Sequence, residues 1–333
     1  MRLRFKPSRE QRAALRLQLE RFQQPAAVRD VLGSSLPADV EPAGITCIPH
    51  SVLSDRFVVR VVARLTTGEE RAYALKVYAD DFGEQVWAHA QAVARHWTND
   101  DGPCLPTRYI PHERTLVFPW VVGSFLSDIV DRRRPELLRR AAALAADLHR
   151  LPVVPEAPTT PDVLIEDTRG RCDRLRARAP EHAPTIERLL ARLEDALPFL
   201  DPADPAPVHG DMAAGQFVWT GERLVLLDLD MFGYTDPAYD VGHFLAQLER
   251  RSLQDGARRE DVDQWVTGFR DAYLSAMPQV SPRNVAFYQG LTFVRKIYTV
   301  CRTSPPDRAG LVSRLAARAR AALDEAVSLG QPR

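Results

Sequence analysis

The sequence predicts an α+β protein with two cores, a smaller strand-rich one followed by a larger helix-rich one. Three observations lead there. The 333 residues are 45% hydrophobic and 26% charged, enough to bury one large core or two modest ones. Two β-branched and aromatic runs, Phe57 to Leu65 (FVVRVVARL) and Tyr73 to Tyr78 (YALKVY), flank the turn Thr66-Thr67-Gly68-Glu69 and read as a hairpin. From Pro135 onward the apolar residues recur mostly at helical spacing.

Residues 8–23 (SREQRAALRLQLERFQ) open on a serine suited to capping a helix whose apolar stripe includes Ala14, Leu17 and Phe22. Residues 24–44 collect Pro and Gly and read as a connector. After the hairpin, residues 83–97 repeat Val86, Ala90, Val93 and Trp97 and predict a helix with Glu84 as its acid. Leu116 to Gly123 (LVFPWVVG) is an apolar strand ending at a glycine. A helix is marked from Pro135 to His149 by the early proline and by Leu138, Ala141, Ala145 and Leu148 on one face. A proline-rich connector (152–161) and a helix at 181–199 follow, and helices near 261–275, 282–301 and 309–329 complete the α-rich part, their aromatics core by default.

Composition removes several function classes. Lys plus Arg and Asp plus Glu number 44 each, so no global field steers the chain to nucleic acid or an anionic membrane. No apolar run approaches the ~20 residues that span a bilayer, and MRLRFKPSREQR leads into polar sequence instead of a signal-peptide core. The expectation is a cytoplasmic protein with neither nucleic acid nor membrane as partner. Cys47, Cys104, Cys172 and Cys301 stand far apart without a CxxC, which fits reduced thiols and gives no zinc pattern.

The polar residues with chemistry concentrate between His209 and Asp240. Phe217-Val218-Trp219 and Leu224 to Leu227 read as two short strands about Thr220-Gly221-Glu222-Arg223. Asp211 and Gln216 enter the first strand, and Asp228 and Asp230 leave the second. Crowded carboxylates repel unless a cation is bound among them, and hard oxygen ligands of this kind suit Mg²⁺. Lys76 stands out by scarcity: the chain has three lysines, Lys6, Lys76 and Lys296, among 44 basic residues. It sits inside an apolar strand, where an unpaired ammonium is costly; the plain alternative is a lysine snorkelling at a sheet edge. Asp240 suits the N-cap of the helix that starts VGHFLAQ, and His243 inside that helix reads as a satisfied core histidine.

In kinase catalytic loops a base Asp stands five residues before a metal-binding Asn, and a second metal-binding Asp follows after a strand. Here Asp211 precedes Gln216 by five and Asp228 follows. With His209-Gly210-Asp211 before and Asp236-Pro237-Ala238-Tyr239-Asp240 after, the segment resembles the aminoglycoside phosphotransferase and choline kinase family, whose fold is like that of protein kinases. The departure is Gln216, where that family most often has Asn. The resemblance implies a nucleotide-binding lobe over residues 1–118, a hinge at 119–124 and a catalytic, acceptor-binding lobe over 125–333. It implies an ATP-dependent kinase of small hydroxyl compounds. Asp211 would be the catalytic base, with Gln216, Asp228 and Asp230 for Mg²⁺ and Lys76 for the ATP phosphates. Glu84 would pair with Lys76, a role that competes with helix capping. Ser51, in a glycine-free loop Ser51 to Asp55, would cover the phosphates, and the strand carrying Phe118 and Trp120 would meet adenine, although Trp120 fits plain packing too.

Three other readings compete. A strand ending in Asp228-Leu229-Asp230 also suits the DxD metal site of nucleotide-sugar glycosyltransferases, which need neither the HGD loop nor Lys76. A pseudokinase draws support from Gln216 and the glycine-free loop, and retention of Lys76, Asp211 and Asp228 together opposes it. A nucleic-acid binder is opposed by the charge balance. The acceptor is open among sugars, amino sugars, aminoglycosides and similar alcohols. Residues 251–333 carry 13 basic against 8 acidic residues, which weighs against a polycation.

Overall fold

The computed structural model describes residues 7–33, 36, 40–175, 179–255, 259–303, 305 and 307–329. The chain divides into two compact units, Arg4–Gly123 with Val225–Leu229, and Ser124–Leu224 with Asp230 to the C-terminus.

The first unit opens with α1 (Arg9–Arg21), held by a capping box in which Ser8 Oγ accepts from Gln11 N–H and Gln11 Oε1 accepts from Ser8 N–H. The connector expected at 24–44 instead contains α2 (Pro25–Leu32) and the start of β1 (Val40–Val52). Pro25 is pre-set for the first helical turn and Gly33, at φ +45°, ends it, so the residues that read as breakers are a start and a stop signal. β2 (Arg56–Leu65) and β3 (Glu70–Tyr78) form the expected hairpin, its turn closed by Leu65 N–H to the Glu69 carbonyl. After α3 (Phe82–Ala94), β4 (Gly102–Pro103), β5 (Arg108–Ile110) and β6 (Thr115–Pro119), the main sheet has the order β1-β2-β3-β6-β5, antiparallel throughout. The helix expected to reach residue 97 stops at Ala94; the Trp97 indole turns to the Asn99 and Asp101 carbonyls, both at 3.0 Å. α1 and α2 cover the sheet face of Phe57, Val59, Leu75 and Val77, and α3 packs with Tyr78 and Leu116 on the other. Period-two alternation puts Lys76 on this second face. The strand segment Leu224–Leu226 pairs in parallel with β4 and brings Asp228 into the same unit.

The second unit contains β7 (Ser124–Phe125), α4 (Arg134–His149), α5 (Pro161–Asp173), α6 (Ala183–Ala196), β8 (Ala206–Val208), β9 (Phe217–Trp219), the first residue of β10 (Leu224–Leu226), whose other two belong to the first unit, β11 (Gly233–Thr235), α7 (Ala238–Asp255), α8 (Arg259–Ala276), α9 (Pro282–Thr303) and α10 (Arg308–Ser328). Its core is aromatic: Phe244 stacks on Phe269 at 3.9 Å between ring centroids and meets Phe217 edge-on at 6.0 Å. Two features place the site. β8 and β11 pair antiparallel, Val208 opposite Gly233, so the chain leaving β8 enters the His209 loop beside the chain that leads from β11 to α7. Gly242 lets α7 and α9 approach, because a Cβ there would lie 2.6 Å from the Val285 carbonyl oxygen. No helix among the described residues is long and apolar enough to cross a membrane.

Candidate active site

In the first unit, Lys76 faces Val58 on β2 and Leu116 on β6, so its strand is interior to the sheet. The ammonium lies 2.5 Å from Asp228 Oδ1, with side-chain exposures of 10% and 30%. This partner decides between the two sequence readings of the lysine: a snorkelling edge residue would end in water, and this one ends on a carboxylate. Asp228 has φ +68°, a left-handed conformation rare outside glycine and typical of functional turns. Glu84 stands exposed in the first turn of α3. Ser51 lies inside β1, opposite Val58 and next to a register break after Pro49; only Leu53 to Asp55 form the turn, closed by Leu53 N–H to the Arg56 carbonyl at 2.8 Å. Phe118 packs with the α3 cluster. Trp120 donates its backbone N–H to the Ala72 carbonyl, and its ring sits between His50, edge-on at 4.9 Å, and the Arg60 guanidinium at 5.0 Å.

In the second unit, the His209 loop is built around a buried carboxylate. Asp240 is fully buried in the first turn of α7; its Oδ2 accepts from His209 N–H at 2.6 Å and its Oδ1 from Gly210 N–H at 2.9 Å. The N-cap role expected of Asp240 belongs to Asp236, whose Oδ1 accepts from Ala238 N–H at 2.9 Å. The reason is positional: a helix's free N–H groups point back along its axis, whereas Asp240, two residues further in, turns sideways toward the loop. His149, from the end of α4, also meets Asp240 Oδ2, at 3.1 Å, and its Nδ1 is 2.6 Å from the Tyr273 hydroxyl. A carboxylate only accepts, so Nε2 carries the proton and, in the neutral ring, Tyr273 donates to Nδ1. Burial works against the charge on Asp240, but the His149 hydrogen bond and the loop N–H groups outweigh it and hold its pKa below the carboxylate range. Gly210 has φ +82°, and a Cβ on it would meet the Met231 carbonyl oxygen at 2.1 Å.

This loop presents Asp211. Its Oδ1 lies 3.1 Å from His243 Nε2, and its backbone N–H donates to His209 Nδ1 at 3.3 Å. Burial pushes the His243 pKa down, against its hydrogen bond to Asp211, so the ring is neutral at pH 7 and donates its Nε2 proton to the carboxylate. Burial also raises the Asp211 pKa, but the His243 hydrogen bond and the positive charge of Lys296 prevail and bring it to about 2. Asp211 is therefore ionised at neutral pH, a proton acceptor fixed by one neutral hydrogen bond. Gln216 ends the 3-10 turn before β9, and its side-chain amide makes no hydrogen bond among the described residues. Asp230 lies buried in the 3-10 turn Leu229–Met231. Among the described residues no group of three or more His, Cys, Asp or Glu side chains is arranged to hold a metal. Asp228 in the first unit, and Asp230 and Gln216 in the second, each offer a hard oxygen, the donor type that Mg²⁺ takes from protein before phosphate and water complete its shell.

His243 is buried and hydrogen-bonded, as a satisfied core histidine should be; that Asp211 is one of its partners is not something an i, i+4 pattern shows. The sequence reading did not single out Lys296, whose charge acts on Asp211. Lys296 had a signal, the same scarcity of lysine that singled out Lys76.

Residues 51–283 match the model of the phosphotransferase enzyme family. The chain belongs to that family. It is a small-molecule phosphotransferase with a hydroxyl acceptor, which removes the glycosyltransferase reading of Asp228-Leu229-Asp230. Solved structures of family-like kinases share its fold at low identity. A choline/ethanolamine kinase family protein from Mesorhizobium loti is 16% identical, with 94% of this chain and 97% of that chain covered and a TM-score of 0.59. The spectinomycin phosphotransferase APH(9)-Ia, solved with ADP and spectinomycin, is 10% identical over 91% and 97% at 0.56. The amicoumacin kinase hAmiN, solved with AMP-PNP, Ca²⁺ and Ami, is 13% identical over 92% and 96% at 0.60. A search of curated proteins finds no match.

Proposed function

We propose that this phosphotransferase is an ATP- and Mg²⁺-dependent cytoplasmic kinase that moves the γ-phosphoryl group to a hydroxyl of a sugar, amino sugar or similar small alcohol. The observation that carries the proposal is Asp211: a carboxylate held ionised, bonded to a neutral histidine and set on a loop pinned through two backbone N–H groups. Phosphoryl transfer needs positioning and charge neutralisation more than covalent help. Asp211 takes the acceptor's hydroxyl proton as the acceptor oxygen bonds to phosphorus and the β–γ anhydride bond breaks, so that ADP leaves. Lys76 binds phosphate oxygens in exchange for Asp228. Asp228, Gln216 and Asp230 would hold Mg²⁺, which when bound neutralises charge on the phosphates. In the same reading residues 119–124 form the hinge, the strand of Phe118 and Trp120 lies along adenine, Ser51 covers the phosphates and Glu84 steadies Lys76. The nucleotide complexes of the spectinomycin and amicoumacin enzymes support the choice of an adenine nucleotide.

The test is ADP release from Mg·ATP across hydroxyl compounds, with Asp211→Asn beside the wild type. Asp211→Asn is expected to keep Mg·ATP affinity and to lose ~10²–10⁴ in turnover. Turnover within a few-fold of wild type would remove Asp211 from the chemistry.

A further inference from the structure

Lys296 is one of only three lysines in the chain and lies half-buried on α9. It stands one helical turn beyond Thr292, whose Oγ1 is 3.4 Å from His243 Nδ1; the other nitrogen of that ring bonds Asp211. The ammonium is thus carried to the neighbourhood of the proposed base, and Asp211 is the carboxylate whose charge favours it most. Yet among the described residues no carboxylate lies within 4 Å of it. The surroundings do not compensate. Arg295 donates to Asp167 Oδ2 at 3.0 Å and Arg171 donates to the same oxygen at 2.8 Å, so two guanidinium groups share one carboxylate. Arg250 adds to the field from α7. Burial, with these arginines, lowers the Lys296 pKa to about 8, which leaves it mostly charged at neutral pH.

A partly desolvated charge without a close partner is costly, and a compact ammonium is a point charge suited to an incoming anion. We propose that the acceptor of this kinase is an anionic hydroxyl compound, bearing a carboxylate or a phosphate ester, and that Lys296 receives the anion while Asp211 faces the hydroxyl. The proposal rests on the kinase reading above. Like charges in a half-buried site repel, so the region that favours such an acceptor disfavours a polyamine.

The experiment compares matched acceptors with Mg·ATP by ADP release. Glucose, glucosamine, glucuronate and glucose 6-phosphate form one set; glycerol, glycerate and glycerol 3-phosphate form another. In the wild type the best anionic member is expected to exceed its neutral parent at least tenfold in kcat/KM, and whether carboxylate or phosphate leads identifies the anion. In Lys296→Met that ratio should fall about tenfold, mainly through KM for the anionic acceptor, and Lys296→Arg should recover most of it. Melting curves establish that both variants fold. A neutral or cationic member as the best acceptor, no turnover of any anionic member, or an unchanged ratio in Lys296→Met each overturns the assignment. So does a rise in KM for ATP alone, which would place the ammonium on the nucleotide. If Mg·ATP is hydrolysed or shifts the melting temperature while anionic acceptors fail, only the acceptor assignment falls; if Mg·ATP does neither, the kinase reading falls with it.

Discussion

Asp240→Asn isolates the device that holds the catalytic loop. The substitution keeps shape and volume and replaces one carboxylate oxygen with an NH₂ group. Three donors converge on Asp240, the N–H groups of His209 and Gly210 and the ring of His149. Whichever way the amide turns, it sets a donor against at least one donor and weakens the others, which lose a charged acceptor. Hydrogen bonds to charged groups contribute ~1.5–3 kcal/mol each, and breaking one side of a buried charged cluster costs ~3–5 kcal/mol. The variant should therefore lose about 3–5 kcal/mol, a large part of an ordinary domain's stability. Urea denaturation would show this as a lower midpoint at unchanged m. The pH dependence adds a second signature. The folded pKa of Asp240 is depressed, so its stabilisation is fully present above the unfolded value of ~3.9 and is lost as pH falls through the lower folded value. The gap between wild type and variant should be constant near neutrality and close in acid. Turnover should drop by ~10², because the loop carrying Asp211 loses its register. A variant within about 0.5 kcal/mol of wild type and equally active would refute the pinned-loop argument.

Other outcomes follow from the same geometry. Lys76→Met should fold, raise KM for ATP and lower turnover, since the Asp228 it abandons is exposed enough to be solvated; Lys76→Arg should be nearly as poor, because a planar fork does not fit a point-charge site between Val58 and Leu116. Equal Mg·ATP-induced melting shifts in all three proteins would contradict this. Gly210→Ala should cost at least ~2 kcal/mol, since left-handed backbone alone costs ~1–2 kcal/mol and the new Cβ would meet the Met231 carbonyl; an unchanged melting temperature would argue against it. Lys296→Met should gain stability at pH 7. The folded pKa of Lys296, about 8, lies below its free value of 10.5, so its unfavourable contribution is full below pH 8, fades between pH 8 and 10.5 and is gone above that. The gain should be ~1–3 kcal/mol and vanish in melts above pH 10.5, and a loss at pH 7 would count against the strained ammonium.

Periodicity in the sequence was enough to determine the α+β class, the β2–β3 hairpin, α4 and the helices from α6 onward, because alternation and helical spacing are local properties of the chain, whereas α5, directly after the proline-rich connector, was not read from it. Local signals also placed Asp211 on a loop ahead of a strand and drew Lys76 out through the rarity of lysine. The same local reading took Pro25 and Gly33 for a connector, since breakers and helix termini use the same residues. What only tertiary structure decided are relations between distant positions. Lys76 meets Asp228 across 152 residues of chain, and Asp240 holds N–H groups 30 and 31 residues before it. His243 bonds Asp211 because α7 returns beside the loop, and Thr292 of α9 meets the same ring because Gly242 lets α9 come close. A side chain's chemistry is written in the sequence, but its pKa and its partners depend on burial and on neighbours that only the folded chain supplies.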